Sequence, residues 1–490
     1  MTVREDVGLR CPGRFFINGV WVVPSTDSLL DVVDSATEQV FLQVAEAKDA
    51  DVRRAVEAAR HAFDDGPWPR LTHLERAGYL RSIAQAFLAR ADVIGQVWPR
   101  QSGVLHSIAR NGGQMAAGAF IMYADMADTF PFQESATPAA GGEGWIVREP
   151  VGVVGAIVPW NVPVTIMAYK IAPALLAGCT IVLKASPEAP GEAYVMAEIA
   201  EEVGLPPGVL NVLTADREVS ESLVRDPDVD KISFTGSTAA GRRIAGILGD
   251  RLGRFTLELG GKSAALVLDD ADVAAAATEL ARAECMASGQ LCSSLTRMIV
   301  VQQHYDDFIA VVADEFARVR LGDPFDDGTG MGPLAMARQR DRVESYIRRG
   351  VADGARLVVG GGRPSHLSRG YFVEPTVFAD VDNRSVIAQE EIFGPVLTVI
   401  PARDEDHAVA LANDSIYGLN ASVFTADPCR AMSVARRLRS GTVGHNAFRT
   451  DFSVAFGGYK QSGIGREGGR EGLLPYLETK TVIIDDGNAR

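Results

Sequence analysis

The stretch Val151-Gly-Val-Val-Gly-Ala-Ile-Val158 contains no charged residue, and the loop sequence Pro159-Trp160-Asn161-Val162-Pro163 follows it directly. A short apolar run that ends at a proline is typical of a buried strand. The next residues, 164–176, predict an apolar helix, and residues 180–183 predict a second strand. Strand, helix and strand in this order predict a parallel sheet that is covered by helices on both faces.

The same alternation continues along the chain. In the first half it predicts strands at 153–158, 180–183, 210–213, 231–235 and 264–268, with helices at 164–176, 189–203, 218–225 and 238–252. A second alternation predicts strands at 296–301, 356–359 and 396–401, with helices at 273–287, 305–319, 335–352 and 405–412. Before them we expect a hairpin at 15–23 and helices at 49–63 and 74–87, and residues 477–485 predict a last strand. The chain therefore predicts two α/β units that pack directly against each other.

Composition excludes several classes of protein. The 490 residues are 47% hydrophobic and 23% charged, which is ordinary for a globular protein of several domains. A net charge of −15 argues against nucleic-acid binding, because a phosphate backbone requires a basic face. Residues 151–169 are uncharged and long enough to span a membrane, but Pro159, Asn161 and Pro163 would break such a helix. We therefore expect no nucleic-acid partner and no membrane span.

The cysteines and the start of the chain indicate a reducing compartment. The five cysteines are irregularly spaced and form no Cys-x-x-Cys pair, which argues against a disulfide scaffold or a structural zinc site. No cluster of His, Cys and Asp with metal-ligand spacing occurs, so we predict no metal. Residues 1–6 are charged where a signal peptide would be apolar. A cytoplasmic location fits these observations.

Two side chains suggest covalent chemistry. Cys292 follows Gly289-Gln290-Leu291, and Glu258 opens the run Glu-Leu-Gly-Gly-Lys-Ser. A cysteine is most often a small buried hydrophobic residue, but the polar neighbours of Cys292 are not typical of a core. Cys285, in a predicted amphipathic helix, fits the structural interpretation better. A thiol that attacks a carbonyl and a carboxylate that activates water are the two halves of a covalent oxidation.

The order and spacing of the motifs carry a family resemblance. Pro159–Pro163, Phe234-Thr-Gly-Ser237, the Glu258 run, the Cys292 run and Glu391-Ile-Phe-Gly-Pro-Val396 occur in one chain. From about residue 15 to about residue 481 the chain resembles an NAD(P)-dependent aldehyde dehydrogenase. The resemblance implies an α/β fold with a Rossmann-type parallel-sheet cofactor domain, an α/β catalytic domain and a small β oligomerisation arm.

The resemblance also implies domain limits and an assembly. It places the NAD(P)-binding domain at 1–124 and 147–257, the catalytic domain at 258–450, and the arm at 125–146 and 468–490. In the resembled family the arm pairs subunits, so we expect a homodimer or a homotetramer. An open strand edge favours such pairing.

The roles of three residues follow from the same resemblance. Cys292 takes the place of the nucleophile, and Glu258 that of the base that activates water for thioester hydrolysis. The side-chain amide of Asn161, with the Cys292 backbone N–H, takes the place of the donors to the tetrahedral oxyanion. Such a preorganised donor is typically worth ~3–4 kcal/mol. The substrate is then a small-molecule aldehyde.

The cofactor residues are assigned in the same way. Gly236-Ser-Thr-Ala-Ala-Gly241 is neither a G-x-G-x-x-G run nor a P-loop, but a glycine–serine turn before a helix suits a pyrophosphate. The residues that the resemblance places around the cofactor are Pro159, Trp160, Lys184, Phe234, Gly236, Ser237, Glu391 and Phe393. Of these, Lys184 bonds the adenosine ribose hydroxyls in the resembled family, whereas Glu391 and Phe393 contact the nicotinamide riboside.

One departure concerns cofactor selection. The family often has Lys-Pro-Ser-Glu at the ribose site, whereas this chain has Lys184-Ala-Ser-Pro187-Glu188. Pro187 has no carboxylate to repel a 2′-phosphate, and Glu188 is displaced by one position. From the sequence we expect NAD to work and NADP also to be accepted.

The substrate and the reaction type leave alternatives open. The motifs place seven residues around a mostly apolar substrate pocket: Val162, Ile166, Tyr169, Leu291, Ser293, Thr450 and Phe456. Arg449 could meet an acidic substrate or face solvent. Two competing interpretations are a coenzyme A-acylating relative, which does not need the base Glu258, and a non-catalytic scaffold of the same fold.

Overall fold

The computed structural model describes residues 7–139 and 141–485, so the charged start at residues 1–6 and the end of the predicted arm at 486–490 lie outside the described residues. Two large sheets organise the chain. The first has eight strands in the spatial order β19 (Gly463–Ile464), β11 (Arg254–Glu258), β10 (Lys231–Thr235), β7 (Val153–Ile157), β8 (Thr180–Ala185), β9 (Leu210–Thr214), β1 (Phe15–Ile17) and β2 (Val20–Val22). Its five central strands, β11 to β9, are parallel to one another.

The second sheet has seven strands in the spatial order β14 (Arg356–Val359), β15 (Thr376–Ala379), β16 (Val396–Ala402), β13 (Arg297–Val301), β12 (Ala264–Val267), β17 (Asn420–Phe424) and β18 (Thr442–His445). All of its pairs are parallel except β14 with β15. Smaller sheets are formed by β20 (Leu477–Ile484), β6 (Glu143–Pro150) and β5 (Gln133–Ala136), and by β3 (Leu29–Val33) with β4 (Val40–Ala45).

Sixteen α-helices connect and cover these strands within the described part of the chain. They are α1 (Asp49–Asp64), α2 (His73–Ala89), α3 (Ala91–Ser102), α4 (His106–Ala109), α5 (Gly112–Ala124), α6 (Pro163–Ala177), α7 (Gly191–Glu202), α8 (Arg217–Arg225), α9 (Thr238–Asp250), α10 (Val273–Cys285), α11 (Tyr305–Ala317), α12 (Ala337–Ala352), α13 (Val386–Gln389), α14 (Glu405–Asn413), α15 (Pro428–Ala435) and α16 (Gly469–Leu473). The central strands of both large sheets are buried, since every residue of β7, β8, β9 and β13 is buried.

One strand prediction is wrong. The sequence placed 264–268 as the last strand of the first parallel sheet, but β12 lies in the second sheet between β13 and β17. The first sheet instead ends its parallel part with β11, which the alternation did not predict. Only a short turn joins β11 to β12, whereas a parallel crossover within one sheet needs about a dozen residues or more. The chain therefore passes to the second sheet directly after Glu258.

The hairpin prediction at 15–23 is confirmed. β1 and β2 pair antiparallel from Phe15 to Val22, and both turn residues, Asn18 and Gly19, have positive φ (55° and 77°). This is the turn that Asn-Gly favours. β1 also pairs antiparallel with β9, so the hairpin extends the first sheet at the edge formed by β9.

Candidate active site

Cys292 lies in a loop that the backbone holds in an unusual shape. After α10, three successive residues, Ala287, Ser288 and Gly289, have positive φ values of 50°, 55° and 69°. The Ser288 hydroxyl donates to the carbonyls of Gly332 (2.8 Å) and Pro333 (3.1 Å), which anchors this segment to a neighbouring loop. Non-glycine residues adopt this conformation only where the surrounding structure enforces it. The strained run therefore fixes the position from which Cys292 is presented.

Glu258 and Cys292 come together because of a glycine. Glu258 is the last residue of β11, and Gly261 lies in the turn that follows it. A Cβ atom at position 261 would come within 2.3 Å of the Cys292 carbonyl oxygen, so only glycine permits this approach. The turn after the carboxylate thus packs directly on the backbone of the nucleophile loop.

The thiol of Cys292 is protonated in the cofactor-free protein at neutral pH. Its pKa is raised to about 12. Burial is the largest cause, and the nearby carboxyl groups of Glu391 and Glu258 add to it. The backbone N–H groups of Cys292 and Ser293 act in the opposite direction. The side chain is nevertheless reachable, because Cys292 is only partly buried. Since the thiolate is the reactive form, the site must remove a proton before attack.

The carboxyl group of Glu258 is buried and accepts no hydrogen bond from the described residues. The residue is 2% exposed, and neither carboxyl oxygen has a hydrogen-bond partner among the described residues. Burial raises the pKa of Glu258 well above its ordinary value, and Glu467 adds to this, while Lys170 and Arg466 oppose it. A carboxyl group with a raised pKa and free oxygens is suited to proton transfer near neutral pH.

Lys170 and Glu467 are two residues of this site that the motifs did not reveal. They form a fully buried ion pair, and the Lys170 ammonium also donates to Ser233 Oγ (3.3 Å). Lys170 is the only charged residue of α6, whose sequence is otherwise apolar and uncharged. A single lysine within such a helix is the signal that could have found it, because a buried ammonium group requires a partner.

Asn161 is positioned by three neighbouring groups. Its side-chain Nδ2 donates to the carbonyl of Gln290 (2.7 Å), two residues before Cys292. Trp98 Nε1 donates to the Asn161 carbonyl (3.0 Å), and Ser102 Oγ donates to the Trp160 carbonyl (2.6 Å). An amide nitrogen carries two hydrogens, so Nδ2 keeps one donor beyond its bond to Gln290. The amide is thus held next to the loop of Cys292 with a donor to spare.

Gln290 fixes this loop from inside. Its Nε2 donates to the carbonyls of Ser102 (3.2 Å) and Ala287 (3.1 Å), and its Oε1 accepts from the Ala335 N–H (2.9 Å). The sequence singled out Gln290 only as a polar neighbour of the cysteine. The structure shows that it ties the segment before Cys292 to the end of α3 and to the loop before α12.

The predicted cofactor residues lie at the carboxyl ends of the parallel strands. Lys184 is on β8, Phe234 is on β10, and Pro159 and Trp160 follow β7. Ser237 caps α9, where its Oγ accepts from the Ala240 N–H (3.3 Å), and Gly236 precedes it. This edge of an open parallel sheet is where nucleotides bind, and a helix N-terminus favours phosphate. The donors present therefore fit a dinucleotide.

The nicotinamide-side residues, Glu391 and Phe393, also meet this region. Glu391 Oε1 accepts from the Gly261 N–H (3.1 Å), in the turn that touches the Cys292 backbone. Burial raises the pKa of Glu391 to about 7. Phe393 packs edge-on against Trp160 with ring centroids 5.3 Å apart. These contacts bring the predicted ribose carboxylate beside the nucleophile loop.

The predicted substrate pocket is aromatic on one side. Phe452, which the motifs did not name, stacks between Tyr169 (centroids 4.9 Å) and Phe456 (4.1 Å). Val162, Tyr169 and Leu291 pack on one hydrophobic cluster, Ile166 is buried, and Ser293 is buried beside Cys292. Thr450 is part-exposed, two residues before Phe452, and Arg449 is exposed. Burial and the nearby Asp451 raise the pKa of Tyr169 to about 12.

Two features are absent from residues 7–139 and 141–485. In this part of the chain no group of three or more His, Cys, Asp or Glu side chains could hold a metal ion. None of its helices is long and apolar enough to cross a membrane.

Comparison with known proteins decides the family. Residues 21–482 match the sequence model of the aldehyde dehydrogenase family. The chain belongs to this family. It is 44% identical to a geranial dehydrogenase of Castellaniella defragrans over 96% of this chain and 98% of that protein. It is 41% identical to a 3-succinoylsemialdehyde-pyridine dehydrogenase of a Pseudomonas species, over 97% of this chain and 99% of that one.

Solved structures of aldehyde dehydrogenases agree with the fold prediction. An aldehyde dehydrogenase of Mycobacterium tuberculosis complexed with NAD⁺ superposes with a TM-score of 0.95 at 44% identity, covering 97% of this chain and 99% of that chain. A mutant of aldehyde dehydrogenase C of Pseudomonas syringae, complexed with NAD⁺ and octanal, gives 0.93 at 40% identity and covers 96% of each chain. The predicted fold class and the enzyme class, an aldehyde dehydrogenase, are confirmed.

Proposed function

We propose that the protein oxidises an apolar aldehyde to a carboxylic acid with NAD, through a covalent intermediate on Cys292. The observation that carries the proposal is the convergence of three groups on one loop. The turn after Glu258 packs on the Cys292 backbone at Gly261, the Glu258 carboxyl group is close enough to raise the pKa of Cys292, and the Asn161 amide donates to the Gln290 carbonyl in the same loop. A nucleophile, a proton acceptor and an oxyanion donor in one place are the parts of an acyl-forming oxidation.

The first half of the reaction begins with the thiol. Cys292 releases its proton to solvent water, and its sulfur attacks the aldehyde carbon to give a thiohemiacetal. The negative charge that develops on the oxygen is stabilised by the Asn161 amide and the Cys292 backbone N–H. When bound, NAD supplies the acceptor of the hydride that leaves this carbon. Loss of the hydride leaves a thioester on Cys292.

The second half is hydrolysis. Glu258 takes a proton from a water molecule, whose oxygen adds to the thioester carbon. The C–S bond then breaks, so that the sulfur stays on Cys292 as the thiolate and the carboxylic acid is released. The free oxygens of Glu258 support this role, because a carboxylate that already accepted hydrogen bonds would be a weaker base. The ion pair of Lys170 with Glu467 lies near Glu258 and acts on its pKa, which Glu467 raises and Lys170 lowers.

The remaining predicted roles are also proposals. Gly236 and Ser237 hold the phosphates at the start of α9, Lys184 the adenosine ribose, and Glu391 the nicotinamide ribose. Phe393, Trp160, Pro159 and Phe234 form the surface on which the rings pack. The domain limits expected from the sequence belong to the proposal, with β5, β20 and the first half of β6 in the arm that pairs subunits into a dimer or tetramer. Five unpaired cysteines suit a cytoplasmic enzyme.

The aromatic stack of Tyr169, Phe452 and Phe456 supports apolar aldehydes as substrates. Asp451, beside this stack, disfavours a substrate that carries a carboxylate. An apolar aldehyde, octanal, is bound in one of the solved relatives.

A product assay with and without coenzyme A tests the proposal. We expect NADH formation and free carboxylic acid from octanal and benzaldehyde, no dependence on coenzyme A, and much slower turnover of succinic semialdehyde. A product that forms only with coenzyme A would establish the acylating reaction instead. If no aldehyde in the panel were turned over by protein that binds NAD, the scaffold interpretation would replace the enzymatic one.

A further inference from the structure

The run that departs from the family pattern, Lys184-Ala-Ser-Pro187-Glu188, forms a tight turn at the carboxyl end of β8. The Ala189 N–H donates to the Ser186 carbonyl (3.2 Å), which closes a four-residue turn with Pro187 in its second position. Proline favours this position because its ring presets φ near −65°. Glu188 is therefore the third residue of a turn that proline stabilises.

The turn directs the Glu188 side chain back toward Ser186, the first residue of the turn. One carboxylate oxygen accepts from the Ser186 hydroxyl, and the other accepts from the guanidinium of Arg338 on α12. The Glu188 side chain is 19% exposed, whereas that of Arg338 is 67% exposed. Arg338 holds the pKa of Glu188 below its usual value, so this carboxylate is charged at neutral pH. Its position is thus set by two donors and a proline.

Glu188 also shares its surroundings with Lys184. The carboxylates of Glu188 and Asp216 both favour the charged form of the buried Lys184 ammonium, whose pKa burial lowers to about 8. Asp216 follows β9, the strand next to β8, and caps α8 by accepting from the Val219 N–H (2.9 Å). Two carboxylates therefore flank the single lysine at this corner of the crevice.

The general geometry of dinucleotide sites identifies this corner. In a doubly wound sheet, an acidic residue after the second strand bonds the ribose hydroxyls of NAD, while a nearby arginine can accommodate the extra phosphate of NADP. Here β7 is the first strand and β8 the second, so the Ser186–Ala189 turn occupies that place. Here Glu188 is the acidic residue that would bond the ribose of NAD, and Arg338 is the arginine that could accept the phosphate of NADP. The two side chains form an ion pair with each other.

The ion pair between Glu188 and Arg338 decides which of the two cofactors fits this corner. If Arg338 left Glu188 to bind a 2′-phosphate, a largely buried carboxylate would keep only the Ser186 hydroxyl. The phosphate, with a charge close to −2, would then lie beside that carboxylate and Asp216. A ribose 2′-hydroxyl, in contrast, can donate to Glu188 without breaking the pair. The ion pair of Glu188 with Arg338 therefore favours NAD, which lacks the 2′-phosphate.

We propose that Glu188, aimed by the Pro187 turn and held by Arg338, is the carboxylate that selects NAD against NADP. The proposal rests on the proposed function, since it concerns the cofactor of that reaction. It also changes the expectation from the sequence, which allowed NADP because position 187 has no carboxylate. The turn supplies one from the next residue.

Equilibrium binding of each cofactor to the enzyme without aldehyde tests this, with calorimetry as the readout. We expect wild-type protein to bind NADP at least ~100-fold more weakly than NAD, which corresponds to roughly 2.7 kcal/mol. Glu188→Gln keeps the shape but removes the charge, and should reduce this ratio ~10-fold or more, mainly through tighter NADP binding. Glu201→Gln, on the exposed end of the following helix α7, removes one charge elsewhere and should leave the ratio unchanged.

Each outcome has a defined meaning. Equal binding of the two cofactors by wild-type protein overturns the proposal, as does an unchanged ratio in Glu188→Gln or a ratio that responds only to Asp216→Asn. If Glu188→Gln fails to fold, Ser186→Ala, which removes one of the two donors, should still lower the ratio ~3-fold, and no change there also overturns it. Absence of binding of either cofactor would instead overturn the proposed function.

Discussion

Two carboxylates, one at the proposed cofactor site and one at the candidate active site, are in opposite environments. At the adenosine end, Glu188 has both oxygens bonded, one to Ser186 and one to Arg338. At the reaction end, Glu258 is buried with neither oxygen bonded among the described residues. The pKa of Glu188 is lowered, and that of Glu258 is raised well above its ordinary value.

The difference separates recognition from chemistry. A carboxylate that recognises a ligand has to be charged and fixed before the ligand arrives, so its donors come from the protein. A carboxylate that moves a proton has to change its charge during turnover, so strong fixed donors would oppose its function. The unsatisfied oxygens of Glu258 cost stability, and such a cost is expected at a catalytic group.

The largest expected effect is at the nucleophile itself. Cys292→Ala should reduce aldehyde oxidation by about 10⁴-fold or more, because no other group nearby can form the thioester. NAD binding, measured by calorimetry, should remain nearly unchanged, since the thiol is not a cofactor ligand. Cys285→Ala is the matched control: Cys285 is buried in an apolar cluster and should be dispensable for turnover. Substantial turnover by the Cys292 variant would show that the nucleophile is another residue.

The second effect isolates the unbonded carboxylate. Glu258→Gln keeps the size of the side chain but removes the base, and steady-state turnover should fall by ~10²–10³-fold. Rapid mixing should show a burst of NADH followed by a slow phase, because acylation precedes the step that needs the base. Equal loss of the burst and of the steady state would mean that Glu258 also deprotonates Cys292.

Sequence reasoning located most of this site, since the motifs lie next to proline, glycine and strand ends that fix them locally. Cys292, Glu258 and Asn161 were named from runs of four to six residues, and the structure brings all three to one loop. Their roles remain predictions until the variants are measured. The doubly wound architecture was also predicted, because apolar strands and helices alternate at recognisable spacing.

What the sequence did not reveal depends on contacts between distant segments. Phe452 stacks on Tyr169 although 283 positions separate them (452 − 169), and no local pattern encodes that contact. Glu467 meets Lys170 across 297 positions. The wrong sheet for residues 264–268 has a different cause: the alternation of strands and helices carries no information on sheet membership, whereas the turn after Glu258 is too short for a crossover within one sheet.

The smallest expected effect concerns how the two carboxylates at the reaction end act on the thiol. Glu391 and Glu258 both raise the pKa of Cys292 toward about 12, after the larger effect of burial. Because the pKa of Glu391 is itself raised to about 7, this carboxyl group is charged mainly above pH 7 and opposes the thiolate only there. Glu391→Gln keeps an oxygen for the Gly261 N–H but removes the charge.

Alkylation of the cofactor-free enzyme by iodoacetamide between pH 6 and pH 10 measures this effect, with the Cys292 peptide followed by mass spectrometry. The rate rises with pH as the thiolate forms. In Glu391→Gln it should be higher by ~3–10-fold above pH 8, in line with a pKa lowered by up to about one unit, and should converge with wild type below pH 7. Glu390→Gln, the exposed neighbour, serves as the control and should follow wild type. A Glu391→Gln profile identical to wild type at every pH would mean that burial alone sets the reactivity of the thiol. A gain that persists below pH 7 would mean that Glu391 is charged there, so that its burial is less complete than the structure indicates.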